Sequence, residues 1–267
     1  MPKRTPERFF QSSIVNRQSS ILLLAAVLIC AGSARSQLAP DFTPRNAVCC
    51  LGFQAQPLAN TLVDWNQLGR YHADDERLKG LAAPPGQVVF MGDSITDGWR
   101  LEQSFPGKPY VNRGISGQTT PQMLVRMFPD VIDLSPAALI ILAGTNDIAG
   151  NTGPETAAMV EENLQAMTEL AQKHGIKVIL CLLTPVSDYT AHKQTEHRPP
   201  SDILKLNDWI KDYAARAGAT VADYYSAVVD DHGRLREGFS DDGLHPNAKG
   251  YALMAPVASA AIEKALQ

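Results

Sequence analysis

Three short apolar runs limit what this chain can fold into: Gln87–Met91, Ala138–Ala143 and Ile176–Leu183. Each reads as a strand buried on both faces, the mark of a parallel sheet covered by helices. Pro109–Arg113 reads as a short second strand and Thr220–Tyr224 as a fifth. Helical patterns lie between them. Thr120 caps a helix whose first residue is Pro121, the favoured place for proline. Gly153-Pro154-Glu155 opens a long helix with Val160, Leu164, Met167 and Ala171 on one face, and Gly175 ends it. Ser201 caps the next helix, in which Leu204, Trp209 and Ile210 are apolar and Gly218 is the stop; Asn247–Leu266 closes the chain. Strands alternating with helices of this length imply βαβ units, so the fold class is α/β with helices on both faces of the sheet.

The sheet is not the start of the chain. Residues 1–36 read as a secretory signal: Lys3, Arg4, Arg8 and Arg17 form a basic region, Ile21–Gly32 is an uncharged apolar run, and Ala34-Arg35-Ser36 offers small residues for cleavage after Ser36. The apolar run has twelve residues, short of the ~20 a spanning helix needs. It is therefore expected to give no stable membrane anchor, and the protein to be secreted or periplasmic. Residues 37–85 read as a lead-in carrying one helix, with Leu62, Trp65 and Leu68 at helical spacing through Thr61–Lys79. Residues 86–267 form the main domain.

Charge and cysteine usage remove several function classes. The net charge is −4, it becomes more acidic once the signal is removed, and no run of Lys or Arg marks a nucleic-acid surface. Cys49, Cys50 and Cys181 follow the signal, an odd number that gives no disulfide framework, and Cys181 reads as a buried inert thiol. No cysteine spacing suggests zinc.

The chemistry sits where strands end. Gln87–Met91 stops at Gly92-Asp93-Ser94, and open α/β sheets bind ligands at the carboxyl ends of their strands, so Ser94 is the candidate nucleophile. A serine needs a base, a group to orient that base, and donors for the oxyanion. His245 is the base candidate. Asp242, three residues upstream in a glycine-containing turn, can reach the imidazole Nδ1–H, and Asp241 is a competing acid. Asn146 offers a side-chain N–H at the end of the third strand, and Gly117 a backbone N–H after the second.

Together Gly92-Asp93-Ser94-Ile95, Gly117 within Ile-Ser-Gly-Gln-Thr, Asn146 within Gly-Thr-Asn-Asp, and Asp242-Gly-Leu-His245 resemble the blocks of the SGNH hydrolases, also called GDSL esterases or lipases. The resemblance covers about Val88–Pro246. It implies a three-layer α/β/α flavodoxin-like fold with a parallel five-stranded sheet. It makes Ser94 the nucleophile, His245 the base, and Asp242 its orienting acid. The oxyanion hole would be the backbone N–H groups of Ser94 and Gly117 with the Asn146 side chain. Ile95 replaces the usual leucine, and Gln118 stands where many members have Asp. The resemblance implies a serine esterase needing neither metal nor organic cofactor. Its expected partner is a small-molecule or glycan ester, with short acyl groups favoured because no long apolar lid is visible near Ser94. The alternatives are a long-chain lysophospholipase or thioesterase of the same family, or a non-catalytic glycan-binding module on this fold. A nucleotide binder is disfavoured, since the first turn lacks a Gly-x-Gly-x-x-Gly loop.

Other residues receive plainer readings. His192 and His197 fall in a polar loop, Val186–Pro200, expected to be solvated and to form a rim over the substrate. His72, His174 and His232 are expected to face solvent, and Asp93 and Asp147 to brace turns. Trp65 and Trp209 read as packing residues, and Trp99 as a packing residue or part of the pocket wall.

Overall fold

The computed structural model describes residues 63–191 and 193–267, all within one compact unit. The segment read as a signal, Cys49, Cys50, Leu62 and His192 lie outside the described residues.

Five strands, β1 Val88–Gly92, β2 Tyr110–Gly114, β3 Ala138–Leu142, β4 Lys177–Cys181 and β5 Thr220–Ala222, form one sheet in the order β2-β1-β3-β4-β5. Every pairing is parallel, and Gly92 stands opposite both Gly114 and Leu142, so three carboxyl ends finish level. The strand order reverses at β1, between β2 and β3. That is the switch point at which such sheets open a crevice for ligands.

The described helices are α1 His72–Lys79, α2 Ser94–Asp97, α3 Leu101–Ser104, α4 Thr120–Val125, α5 Met127–Asp130, α6 Thr145–Ile148, α7 Ala157–Lys173, α8 Gln194–His197, α9 Pro200–Ala217, α10 Tyr224–Val228 and α11 Ala248–Ala265. Strand side chains alternate between two cores. Val89, Met91, Leu139, Ile141, Val178 and Leu180 meet Met123 of α4, Met127 of α5, Leu164 and Met167 of α7, and Ile203 and Ile210 of α9. Val88, Phe90, Ile140, Leu142 and Ile179 meet Trp99, Phe105 and Tyr224 with Met254, Ala258 and Ile262 of α11. The expected three-layer α/β/α fold with a parallel five-stranded sheet is present. The face read for α7 is also correct: Val160, Leu164, Met167 and Ala171 are all buried.

Helix starts differ from expectation by a residue or more, each for a local reason. Thr119, not Thr120, caps α4, and Gln122 reaches back to the Thr119 N–H to complete a capping box. Thr156 caps α7 by accepting from Met159 N, so the helix begins after Gly153-Pro154-Glu155. Helix α9 starts at Pro200, which leaves Ser201 inside its first turn. Asn247 caps α11 by accepting from Lys249 N and Gly250 N.

Of the helix expected over Thr61–Lys79, the described residues hold His72–Lys79 and, at the edge of the described part, Val63, with turns between them. The Asp64 carboxylate accepts from Leu68 N and Gly69 N, both at 2.8 Å, and this local bonding competes with a helix. Trp65 and Leu68 are 49% and 40% exposed, so the packing role read for Trp65 is not what the structure has. Helix α1 docks instead through charge. Buried Asp75 accepts from Nε and Nη2 of Arg113 on β2, at 2.9 and 2.7 Å.

Trp99 is 3% exposed and stacks on Tyr251, with Phe90, Phe105 and Tyr224 around it, so it belongs to the core, and its edge also lines a pocket with Gly98, Arg100 and Tyr251. Trp209 stacks on Tyr213 as a packing residue. Cys181 is a free, buried thiol pushed up to about 12 by burial, consistent with an inert role.

Candidate active site

Ser94 is the first residue of α2, directly beyond β1, so its backbone N–H has no partner within the helix. The turn is clamped from four sides. Asp93 Oδ1 accepts from Ile95 N at 2.9 Å, and Asn112 Nδ2 donates to Thr96 O at 2.6 Å. Tyr251 Oη donates to Ile95 O at 2.8 Å, and Asp97 Oδ2 accepts from Ser116 Oγ at 2.7 Å. Gly114 makes room for this turn, since a Cβ there would stand 2.1 Å from Asp97 N.

The turn before α11 brings up His245. His245 Nε2 is 2.9 Å from Ser94 Oγ, and His245 Nδ1 is 2.5 Å from Asp242 Oδ2. Asp242 Oδ1 accepts from Leu244 N and His245 N at 2.9 and 2.8 Å. Partial burial raises the Asp242 pKa, but the His245 ring and these two N–H groups outweigh it and hold the carboxyl down to about 2. Asp242 therefore keeps its charge at any ordinary pH. Gly243 is required twice: its φ is +83°, and a Cβ would lie 2.2 Å from Ser187 O. Asp241, the competing acid, points elsewhere and accepts from Asn247 Nδ2 at 3.1 Å.

Asn146 lies on α6 just past β3, is 3% exposed, and donates from Nδ2 to Gln118 O at 3.0 Å. Its Oδ1 accepts from Arg198 Nη2 at 3.1 Å, so both ends of the amide are held. Gly117 sits in the exposed turn after β2 at φ +80°, and its carbonyl accepts from Asn151 Nδ2 at 3.1 Å. The structure thus joins Ser94, His245 and Asp242 in one hydrogen-bonded line. Asn146 is tied to the turn that carries Gly117.

Two carboxyls beside these residues are buried. Burial pushes Asp93 up to about 6, against the Ile95 N–H bond and the charges of His245 and Arg198. Burial pushes Asp147 up to about 7, against hydrogen bonds from Thr120 N and Oγ1, with Glu155 nearby raising it further. Asp93 braces its own turn as expected. Asp147 instead ties α6 to the start of α4.

The sequence reading missed three contributors. Arg126 is fully buried and donates to Gln118 Oε1, Asp130 Oδ2 and Gly92 O at 2.7, 2.6 and 3.3 Å, bracing both the end of β1 and the Gly117 turn. Arg198 and Gln194 lie in Val186–Pro200, which was expected as a solvated rim over the substrate, with no part for these two residues. Arg198 is 8% exposed, and Ser187 N donates to Gly243 O at 2.8 Å, so this segment packs on the turn that holds His245. The available signal was the placing of Arg198 between Pro199 and a polar stretch, which does not distinguish it from a surface arginine. His197 is exposed, as are His72, His174 and His232. Among the described residues no group of three His, Cys, Asp or Glu could hold a metal ion.

The arrangement can take a proton from a serine hydroxyl and return it to a leaving group, beside an amide donor. Comparison with known proteins gives the family. The profile of the GDSL-like Lipase/Acylhydrolase family matches residues 90–253. The crystal structure of a GDSL-like lipase from Bacteroides thetaiotaomicron is 38% identical, with a TM-score of 0.68, covering 75% of this chain and 99% of that one. A protein from Bacteroides fragilis, provisionally assigned as an acylhydrolase, is 39% identical with a TM-score of 0.71, over 76% and 99% of the two chains. An acetylxylan esterase from Xylanibacter ruminicola is 26% identical over 227 residues, 70% of this chain and 45% of that protein. The present chain therefore spans less than half the length of that esterase.

Proposed function

We infer that this chain, which belongs to the GDSL-like lipase and acylhydrolase family and is a carboxylic-ester hydrolase, is an exported serine esterase. It removes short acyl groups, acetyl above all, from a sugar, a polysaccharide or a lipid-like alcohol. The observation that carries the mechanism is the line Ser94 Oγ, His245 Nε2, His245 Nδ1, Asp242 Oδ2, with separations of 2.9 and 2.5 Å at its two ends.

His245 takes the Ser94 proton as Oγ attacks the ester carbonyl, and Asp242 stabilises the imidazolium that forms. The oxyanion is held by the backbone N–H groups of Ser94 and Gly117 and by Asn146 Nδ2. The intermediate collapses, the alcohol leaves with the proton from His245, and Ser94 stays acylated. Water, deprotonated by His245, attacks the acyl-enzyme, and the acid leaves as Ser94 recovers its proton.

Two observations support a short acyl group. The residues of the neighbouring loops that reach solvent are mainly polar, among them Ser116, Asn151, Thr152, Lys193 and Glu196, and offer no wall for a long chain. The similarity to an acetylxylan esterase points the same way. Export rests on the signal read in residues 1–36, and among the described residues no helix is long and apolar enough to cross a membrane.

The test is a chain-length series of p-nitrophenyl esters beside acetylated xylan, with wild type and Ser94→Ala. Activity greatest on acetyl esters and lost in S94A is expected. Full activity in S94A overturns the mechanism, and strong preference for long chains overturns the substrate assignment.

A further inference from the structure

Arg198 is a buried cation with no part in the proton relay. It follows α8, is 8% exposed, and is held by two side chains: Nη2 donates to Asn146 Oδ1 and Nη1 to Gln194 Oε1, each at 3.1 Å. Gln194 in turn donates from Nε2 to the carbonyl oxygen of Asp242 at 3.4 Å. The Arg198 Nε is buried with no hydrogen-bond partner among the described residues. We propose that Arg198 is a positioning residue for acyl transfer: it holds the Asn146 amide with its remaining N–H, the one not given to Gln118 O, turned to the oxyanion, and it couples that amide through Gln194 to the turn carrying Asp242. The proposal rests on the reading of Asn146 as an oxyanion donor.

A side-chain amide has a donor end and an acceptor end, and a half-turn about its last bond exchanges them. Turned the wrong way, Asn146 would present Oδ1 to a developing negative charge and repel it. Gln118 O takes one Nδ2 hydrogen, but a neutral carbonyl is the weaker restraint. The guanidinium bond to Oδ1 is charge-assisted and can be made only when Oδ1 faces Arg198. It also draws electron density towards Oδ1, which strengthens the remaining Nδ2–H as a donor. A packing role does not account for this residue. A buried guanidinium with an unpartnered Nε destabilises the interior, and an apolar side chain of similar length would fill the same space without that cost.

The experiment is a double-mutant cycle on the full-length protein, pairing Arg198→Met with Asn146→Ala and reading kcat and KM on p-nitrophenyl acetate, with Arg198→Lys as the conservative variant. R198M is expected to lower kcat about tenfold or more with little change in KM, a smaller loss than deleting an oxyanion donor outright. R198K is expected to recover part of that loss. In the N146A background R198M is expected to change kcat less than about twofold, because its effect passes through an amide that is gone. Equal losses from R198M in both backgrounds, or wild-type kcat in R198M, overturn the proposal while leaving the oxyanion assignment standing. Wild-type kcat in N146A removes that assignment and the proposal with it. Thermal melting checks each variant, and if R198M fails to fold, the cycle is run with R198K under the same criteria.

Discussion

The Oδ2 atom of Asp242 stands 2.5 Å from Nδ1 of His245, while Oδ1 of the same carboxylate accepts from the His245 backbone N–H at 2.8 Å. One carboxylate thus fixes both the ring and the main chain of the histidine. The ring is left with Nε2 facing Ser94 Oγ.

Asp242→Asn should remove the anion without emptying the site. The amide cannot stabilise an imidazolium, and it accepts the Nδ1–H only if its own N–H₂ group points away from the ring. We expect kcat on p-nitrophenyl acetate to fall by about 10²- to 10⁴-fold, with folding preserved. An unchanged kcat would remove Asp242 from the mechanism.

Stability should fall as pH rises from about 5 to about 8. Asp147 is raised to about 7, and Asp93 and Asp75 to about 6, all mainly by burial. A carboxyl whose folded pKa is raised contributes stability that is complete below its ordinary value of 3.8 and is lost as pH climbs through the folded value. Asp242 has the opposite sign, and its contribution disappears only as pH falls from 3.8 through about 2, outside this window. Asp147→Asn mimics the protonated form and should flatten the profile. A melting temperature that is constant or increases from pH 5 to pH 8 would contradict this.

Arg126→Met should cost about 3–5 kcal/mol, because it leaves the buried Asp130 carboxylate uncompensated. Asp130 is 2% exposed and takes the Arg126 Nη1 bond at 2.6 Å. Adding Asp130→Leu should recover part of the loss by removing the stranded charge. Urea denaturation midpoints of the single and double variants decide it, and a double variant no more stable than R126M would refute the charge argument.

Gly114→Ala tests the close approach of β2 to the serine turn. The added Cβ would meet Asp97 N at 2.1 Å and Thr96 C at 2.6 Å, both backbone atoms that cannot rotate aside. We expect a loss of about 1–3 kcal/mol from overpacking. A displaced Ser94 should also lower kcat tenfold or more, on the order of what a misplacement of ~1 Å produces. Wild-type melting and activity together would show that the turn can shift freely.

The layers of the fold were legible because their causes are local. Apolar runs such as Ala138–Ala143 have no polar face to turn outward, and Val160, Leu164, Met167 and Ala171 can share a helix face only at that period. The part of the expected Thr61–Lys79 helix between Asp64 and Tyr71 is not helical for the converse reason. Its apolar spacing was helical, but the Asp64 side chain takes two backbone N–H groups, and α1 docks through Asp75 instead of an apolar stripe.

The sequence by itself determined the parallel α/β architecture and placed Ser94, Gly117, Asn146, Asp242 and His245 at strand ends or in nearby loops, since periodicity and turn residues act over a few positions. Tertiary structure alone decided that 151 residues of chain separation between Ser94 and His245 close to 2.9 Å. It also decided the place of the buried arginines. Arg126 and Arg198 look like any surface cation in the sequence, because a charge is buried only where the fold brings partners to it from distant segments, here Gln118, Asp130 and Gly92 for one and Asn146 and Gln194 for the other.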